Sequence, residues 1–308
     1  MLWLETEHFR IGSTLEDYRV DRGDRVEAKK LQQELKRLRE RLPDVPKKAR
    51  NLDPWLRLHL YAMRAEDLYA NIEQVLQLEK DAFPAGGLGP YLGMKGKFTI
   101  LLTEKKSTLA RYAGAYCGIT NPGPVLHHFQ RDGVQFLGFS AEFDAMSSDT
   151  TMHCMVTYCL TLNLLNGYQG FRTSMPAWVA VGLGHHQARS IDEQRNYFSA
   201  ARTFGRDDKD VWDWEVRVRG RVNNDADPKF TEVTAWEDHT TLSFPDVMMA
   251  WARVDHLLQE EPEAFAELLA ILKSPFPKGQ APQGEALQEY QIQAMQTVLG
   301  METAEIDQ

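Results

Sequence analysis

The stretch from Thr150 to Arg189 constrains this chain most, because it predicts two consecutive helices joined by a short loop. Its first half is almost continuously apolar, which is typical of a buried helix. Asn166 to Ser174 is polar and contains glycine, as loops do. Pro176 then opens the second helix, where the missing N–H of proline costs nothing. We therefore expect the rest of the chain to form a scaffold around this helix pair.

This layout resembles that of gluzincin-type zinc peptidases, in which one helix carries H-E-x-x-H and the next carries P-x-W-x-x-E-G-L. The second signature is matched from Pro176 to Leu183 by P-A-W-V-A-V-G-L, and the first stands as H-C-M-V-T from His153 to Thr157. The resemblance implies an α+β, gluzincin-like metallopeptidase fold. It would have a mixed sheet backed by helices and a mainly helical C-terminal part.

The residues that give such a motif its chemistry are mostly replaced. In the active motif two histidines and a carboxylate on the next helix bind zinc, and the glutamate after the first histidine is the general base. Here His153 keeps the first ligand position, but Cys154 stands at the base, Thr157 at the second ligand and Val181 at the third. Valine has no donor atom, and a threonine hydroxyl is a poor zinc ligand. The sequence therefore predicts no catalytic residues and no bound zinc.

The function expected from this pattern is that of a non-catalytic pseudo-metallopeptidase, serving as a binding or assembly subunit in a protein complex. An alternative is a zinc-dependent hydrolase with non-standard ligands, for which His153 and His185 are the candidates. His185 lies one helical turn past Val181, which displaces it by about 5 Å along the axis. His153 itself, freed from metal, should be held by hydrogen bonds, because a buried polar ring needs them.

Charge limits the kinds of partner that this chain is expected to bind, and the cysteine count limits its disulfide bonds. The formal charge is −9, yet residues 19–50 hold 12 Lys/Arg against 6 Asp/Glu, a local +6 that leaves −15 elsewhere. Such an acidic bulk argues against nucleic-acid binding, and a protein partner is expected instead. Three cysteines make no disulfide framework, and buried free thiols are the expectation.

No apolar run reaches the length of a membrane span. Two compartments stay open: the cytoplasm, or export with a signal peptide absent from this chain, as is common among proteins of this layout.

The chain divides into an N-terminal strand and basic amphipathic helix over residues 1–50, and a gluzincin-like domain over 51–308 with central helices at 149–166 and 176–189. The basic helix, Asp24 to Leu42, either docks on an acidic partner or lipid surface, or packs on the body with its charges solvated. Asp53-Pro54 predicts the next helix start, and Ser147 to Thr150 predict caps for the central helix.

Several further elements follow from local patterns. Leu2 to Ile11 alternates and predicts one strand, and Val134 to Phe139 predicts a second, which by resemblance would lie along the cleft edge. His127 and His128 are expected in the loop before it, without a role. Tyr197 to Phe204 predicts a helix. Trp212 to Val222 alternates and fits either a strand or an extended arm.

Overall fold

A computed structural model describes residues 1–78, 89–122, 125–129, 135–142, 148–168, 175–195, 213–273 and 282–306. The protein is a mostly helical α+β structure built on one small mixed sheet. Sequence patterns therefore predicted the fold class correctly at this level.

The main sheet has five strands in the order β1-β2-β5-β7-β6. The central strand β5 runs parallel to both of its neighbours, whereas β1 and β6 close the two edges as antiparallel strands. A separate two-stranded ribbon joins β3 to β4. The strands are β1 Leu2–Glu5, β2 Phe9–Ser13, β3 Tyr18–Arg19, β4 Asn51–Leu52, β5 Phe98–Thr103, β6 Val125–Phe129 and β7 Gln135–Ser140.

Most of the remaining regular structure in the described chain is α-helix. They are α1 Arg25–Arg41, α2 Pro54–Val75, α3 Lys106–Tyr112, α4 Asp149–Tyr168, α5 Ala177–Ile191, α6 Trp214–Asn223, α7 Phe230–Val233, α8 Phe244–Glu260, α9 Pro262–Leu272, α10 Glu285–Leu299 and α11 Thr303–Ile306. The cap of α2 is the predicted one, since the Asp53 carboxylate accepts from the Leu56 N–H at 2.8 Å and Pro54 follows. Ser148 likewise caps α4, its Oγ accepting from the Thr151 N–H at 3.1 Å.

The two faces of the sheet are covered unequally. Ile100 and Leu102 of β5 join the large apolar core that also contains residues of α2, α4, α5 and α8. Leu101, between them, packs with Leu109 of α3 in a small cluster. Because successive side chains of a strand point to opposite faces, α3 lies across the sheet from the main core.

Glycine lets the three central helices approach closely. A Cβ placed on Gly184 of α5 would lie 2.8 Å from the Tyr158 ring of α4. One on Gly182 would lie 2.5 Å from the Ala250 carbonyl oxygen of α8. The P-x-W-x-x-x-G-L segment therefore forms the middle layer of a helix stack, α4-α5-α8.

The N-terminal helix packs on the body. Leu31, Leu35 and Leu38 of α1 share a second apolar cluster with Leu56 and Leu60 of α2. Of the two interpretations of the basic helix, packing on the body agrees with this contact. The cluster crosses residue 50, where the sequence suggested a boundary between two parts of the chain.

Four expectations are corrected, and a fifth is left open. Leu2 to Ile11 is a hairpin rather than one strand, because the chain turns at residues 6–8. Gln135–Ser140 is an inner strand, since β6 pairs with it on the side that was expected to be a cleft edge. His127 and His128 belong to β6 and not to a loop. The alternating segment forms helix α6, with Trp214 buried as its anchor. The helix predicted over Tyr197 to Phe204 lies outside the described residues.

No helix in the described part of the chain combines the length and the apolar character needed to cross a bilayer.

Candidate functional site

His153 stands out on the central helix. Every residue of α4 is buried except His153 and Asn166, and the His153 side chain retains 15% of its exposure. The residue opens onto a cavity of about 340 Å³ that is roofed by α1 and walled by α2, α4 and α5. This volume lies within the about 300–1,000 Å³ typical of small-molecule sites.

A buried network of charges forms one wall of this cavity. The Arg64 guanidinium of α2 donates two hydrogen bonds to the Glu34 carboxylate of α1, from Nε to Oε1 at 2.8 Å and from Nη2 to Oε2 at 2.7 Å. Its Nη2 also donates to Oδ2 of Asp149 at 2.7 Å, and the Tyr61 hydroxyl donates to Oδ1 at 3.2 Å. Burial alone would raise the pKa of Asp149, but Arg64, together with Arg57 and the Tyr61 hydroxyl, more than offsets burial and holds that pKa below its usual value.

The N-terminal half of α1, which covers the cavity, also forms hydrogen bonds and ion pairs with the rest of the protein. Oε1 of Glu27, on α1, accepts from the backbone N–H of Thr150 at 2.9 Å and from its hydroxyl at 3.0 Å. A carboxylate at this place is favourable because the first N–H groups of a helix lack partners and carry partial positive charge. Lys30 binds Asp192 at 2.9 Å, and Arg195 binds Asp24.

The surroundings of His153 favour its neutral form. Burial lowers the pKa of its imidazole well below the usual value, and the cations Arg64 and Lys30 lower it further. Nδ1 lies 3.8 Å from Oε1 of Glu34, which is beyond hydrogen-bonding distance and reflects the engagement of that carboxylate with Arg64. The nearby Tyr61 ring meets the imidazole edge-on, with centroids 6.5 Å apart. The expected hydrogen bond of His153 is therefore not made to its nearest carboxylate.

The other positions of the degenerate motif lie in the apolar interior. Val181 retains 1% of its exposure and belongs to the main core, and Thr157 is also buried. Cys154 is buried, and burial raises the pKa of its thiol to about 12, so the thiolate needed for metal binding is strongly disfavoured. Cys154 and Cys159 are buried free thiols, whereas Cys117 is only partly buried.

The alternative ligand His185 has a different environment. It is fully buried between the rings of Tyr158, 4.7 Å away, and Trp214, 5.0 Å away. Tyr158 lies five residues after His153, which is about 140° around the helix at 100° per residue. His185 therefore contacts a side of α4 that differs from the side on which His153 projects. His186 pairs with Asp255 at 2.8 Å.

The donor set does not fit a zinc ion. Among the residues that the structure describes, no group of three or more His, Cys, Asp or Glu side chains is placed to hold a metal. At the motif itself His153 contributes one imidazole, while Thr157 and Val181 contribute a hydroxyl and a methyl group. Structural zinc sites need four nitrogen, sulfur or oxygen ligands, and catalytic sites need three.

The protein is a helix-rich α+β structure that contains a charged, partly enclosed pocket. Comparison with protein-family models, curated proteins and solved structures finds no match for this chain.

Sequence reasoning found His153 but missed the charges around it. The sequence places Glu34 among the charges of the basic helix, and Asp149 within the segment that predicts caps for the central helix. A usable signal was present: Glu27, Lys30 and Glu34 recur every three or four positions and so lie on one face of α1. Arg64 gave no such signal, because the sequence of α2, which also carries Arg57, does not reveal the partner of either arginine.

Proposed function

We propose that this protein is a non-catalytic relative of gluzincin-type metallopeptidases and serves as a binding or assembly subunit in a protein complex. The proposal rests on the surroundings of the residues at the ligand positions of the motif. Val181 and Thr157 are packed in the apolar core, while His153 faces a closed network of ion pairs. A site of this kind lacks the ligands for a metal, and the carboxylate next to His153, that of Glu34, is bound by Arg64 rather than free to act as a general base.

The order of elements supports the peptidase-like part of the proposal. A small mixed sheet with an antiparallel edge strand precedes two packed helices that carry the two degenerate signatures. The glycine of P-x-W-x-x-x-G-L is required by the approach of α5 to α8, so this part of the signature has a packing role that is independent of catalysis. Retention of the frame without its ligands is what a pseudo-enzyme would show.

The binding part of the proposal follows from what remains on the surface. Leu2 and Trp3 of the edge strand β1 keep 40% and 48% of their exposure. An edge strand with exposed apolar side chains is a surface that proteins normally cover. We therefore expect the full chain to occur in a complex in its native source.

The direct test is metal content and hydrolysis. The purified full chain is incubated with zinc, desalted, analysed for bound metal, and assayed on casein. We expect less than one-tenth of an equivalent of zinc and no cleavage. One equivalent of zinc that disappears in His153→Ala, together with casein hydrolysis, would support the zinc-hydrolase alternative instead.

A second test rebuilds the motif. The triple variant Cys154→Glu, Thr157→His, Val181→Glu should place two imidazoles and a carboxylate around one point if the resemblance is correct. Its buried charge should destabilise the metal-free protein, and zinc should raise its melting temperature. The matched control carries Val181→Gln in place of Val181→Glu and should show a much smaller zinc effect. A folded triple variant that does not respond to zinc would mean that the helices are not related as in gluzincins.

The assembly role is tested by native purification. An affinity-tagged full chain, isolated at low salt, should elute in size-exclusion chromatography as a complex with a stoichiometric second component. Trp3→Lys should reduce its yield if β1 contributes, and the exposed Val216→Lys on α6 serves as the control. Elution of the wild-type chain only as a free monomer would contradict an assembly role.

A further inference from the structure

The outer edge of β1 carries backbone groups that can pair with one more strand. Within the described sheet, β1 is an edge strand and pairs with β2 alone. The Thr6 N–H donates to the Phe9 carbonyl at 2.9 Å, so residues 6 and 9 form a hydrogen-bonded pair. Because such pairs alternate along an antiparallel ladder, Leu4 also bonds to β2, whereas the N–H and C=O groups of Trp3 and Glu5 point outward.

A groove of about 580 Å³, which we call the β1 groove, lies on one face of this strand. Leu4 lines it together with the turn between β1 and β2, helix α2 and the C-terminal half of α1. Directly opposed residues of neighbouring strands project to the same face of a sheet. A residue of an added strand that stands opposite Leu4 would therefore project its side chain toward the β1 groove.

The β1 groove is acidic. Five carboxylates line it against two arginines, so its formal charge is −3 with histidines counted as neutral. Asp67 is bound by Arg37 at 2.6 Å, and Glu66 by His8 at 2.6 Å. The other three carboxylates make no ion pair with any residue that the structure describes. They are Glu7, Glu40 and Glu73.

Glu73 shows what the groove lacks. Burial raises the pKa of its carboxyl, and the nearby carboxylates Glu7 and Glu66 raise it further, although His8 acts in the opposite sense. A cation placed among these carboxylates would offset their mutual repulsion, whereas an anion would add to it. An ammonium or guanidinium group therefore suits the β1 groove.

The open edge and the acidic groove together select one class of ligand. Only a peptide backbone offers N–H and C=O groups at the spacing that Trp3 and Glu5 present. Peptides that add to a sheet edge gain affinity from main-chain hydrogen bonds and specificity from pockets for alternate side chains. Here the pocket next to the edge favours a positively charged side chain.

We propose that β1 binds an extended basic segment of a partner protein, which adds to the sheet as an antiparallel strand. Its lysine or arginine side chain, opposite Leu4, lies in the β1 groove. This inference names the kind of partner for the binding role proposed above and rests on that role. It uses neither the degenerate motif nor the cavity beneath α1.

The experiment uses the full chain and synthetic peptides. The probe is a fluorescein-labelled nonapeptide of threonine and valine around a single central lysine, and a second peptide has glutamate in place of that lysine. Binding is measured by fluorescence anisotropy at low salt. We expect the lysine peptide to bind at least about tenfold more tightly, because the groove attracts a cation and repels an anion.

Two N-methylated forms of the lysine peptide test the strand pairing. In the proposed arrangement the residues on either side of the lysine donate their N–H groups to Trp3 and Glu5, while the lysine N–H points away from β1. Methylation of both flanking nitrogens should weaken binding at least about tenfold. Methylation of the lysine nitrogen is the matched control and should leave the affinity nearly unchanged.

Charge reversal in the protein locates the groove. Glu73→Lys should exchange the preference, so that the glutamate peptide binds more tightly than the lysine peptide. Glu289→Lys, at an exposed glutamate of α10, is the matched control and should retain the wild-type preference. Melting curves establish that both variants fold.

Three results would overturn the proposal: the wild-type chain does not bind the lysine peptide, it binds the glutamate peptide as tightly, or it binds the two methylated peptides equally. A native complex isolated from a chain that ignores the lysine peptide would retain the assembly role and overturn strand addition at β1. Binding of the lysine peptide by a chain that elutes only as a monomer would support strand addition and contradict the assembly role.

Discussion

Helix α4 makes two contacts, which we call seams, and they differ in chemistry: the seam with α5 is apolar, and the seam with α1 is charged. The first is apolar and depends on glycine, with Gly184 of α5 lying against Tyr158 of α4. The second is charged, with Glu27 bound to the start of α4 and Glu34 joined to Asp149 through Arg64. Apolar packing responds mainly to shape, whereas buried ion pairs respond to the loss of a partner and to pH. The stability of the contact between α4 and α5 therefore depends on side-chain volume, whereas that of the contact between α4 and α1 depends on charge.

The largest effect is expected at the charged seam. Arg64→Met removes the one cation that both Glu34 and Asp149 bind, and leaves two carboxylates largely buried. Breaking a buried pair in this way costs about 3–5 kcal/mol. Urea denaturation should show this loss at neutral pH. If the variant is as stable as the wild type, the network contributes nothing and the seam is held by its apolar part alone.

The apolar stack should respond to one added methyl group. A Cβ on Gly182 would meet the Ala250 carbonyl oxygen and Cγ2 of Val254, each at 2.5 Å, so Gly182→Ala must push α5 from α8. Overpacking of this kind costs about 1–3 kcal/mol. Gly220 in α6 has nothing within 4 Å of its Cβ position, and Gly220→Ala should stabilise the protein by about 0.5–1 kcal/mol. Equal denaturation midpoints for the two variants would contradict the close packing of α5 on α8.

The charged seam should also be sensitive to pH near neutrality. The pKa of His153 is lowered on folding, so the unfolded chain binds a proton that the folded chain does not, below about pH 6.5. Stability is therefore retained above that pH and falls as the pH drops toward the folded-state pKa, by at most about 1.4 kcal/mol per pH unit.

The measurement is the free energy of unfolding between pH 7.5 and 5.5. The wild type should lose more stability than His153→Gln over this interval, and His239→Gln controls for the other histidines whose pKa is lowered, of which His239 is one. Parallel curves for wild type and His153→Gln would show that His153 does not titrate beneath α1.

The smallest effect is expected at the rim of the charged seam. Arg37 binds Asp67 at 2.6 Å, but both side chains are about half exposed, at 55% and 40%. Exposed pairs contribute about 0–1 kcal/mol and are screened by salt. Arg37→Met should therefore change the unfolding free energy by less than about 1 kcal/mol in low salt. A loss as large as that of Arg64→Met would mean that α1 depends on its rim pairs as much as on its buried ones.

The two seams also differ in how far the sequence predicted them. The helix pair, its caps and the burial of its cysteines follow from local patterns, and the boundaries of α4 and α5 agree with the predicted ones within two residues. Glu34, Arg64 and Asp149 come from three distant parts of the chain, and no spacing rule relates them. Alternation at Trp212 to Val222 misled, because valine and arginine in turn also suit a helix whose outer face is solvated.

The bond from Glu27 to Thr150 joins residues 123 positions apart. The start of the central helix is thus finished by a carboxylate that belongs to the beginning of the chain. We expect this contact to form late in folding, because the entropy of the intervening loop must be lost first. Loss of α1 alone would leave the Thr150 N–H without its carboxylate partner and α2 with an uncovered apolar stripe. In this order of events, α1 docks on α2 and on the start of α4 after the rest of the fold has formed.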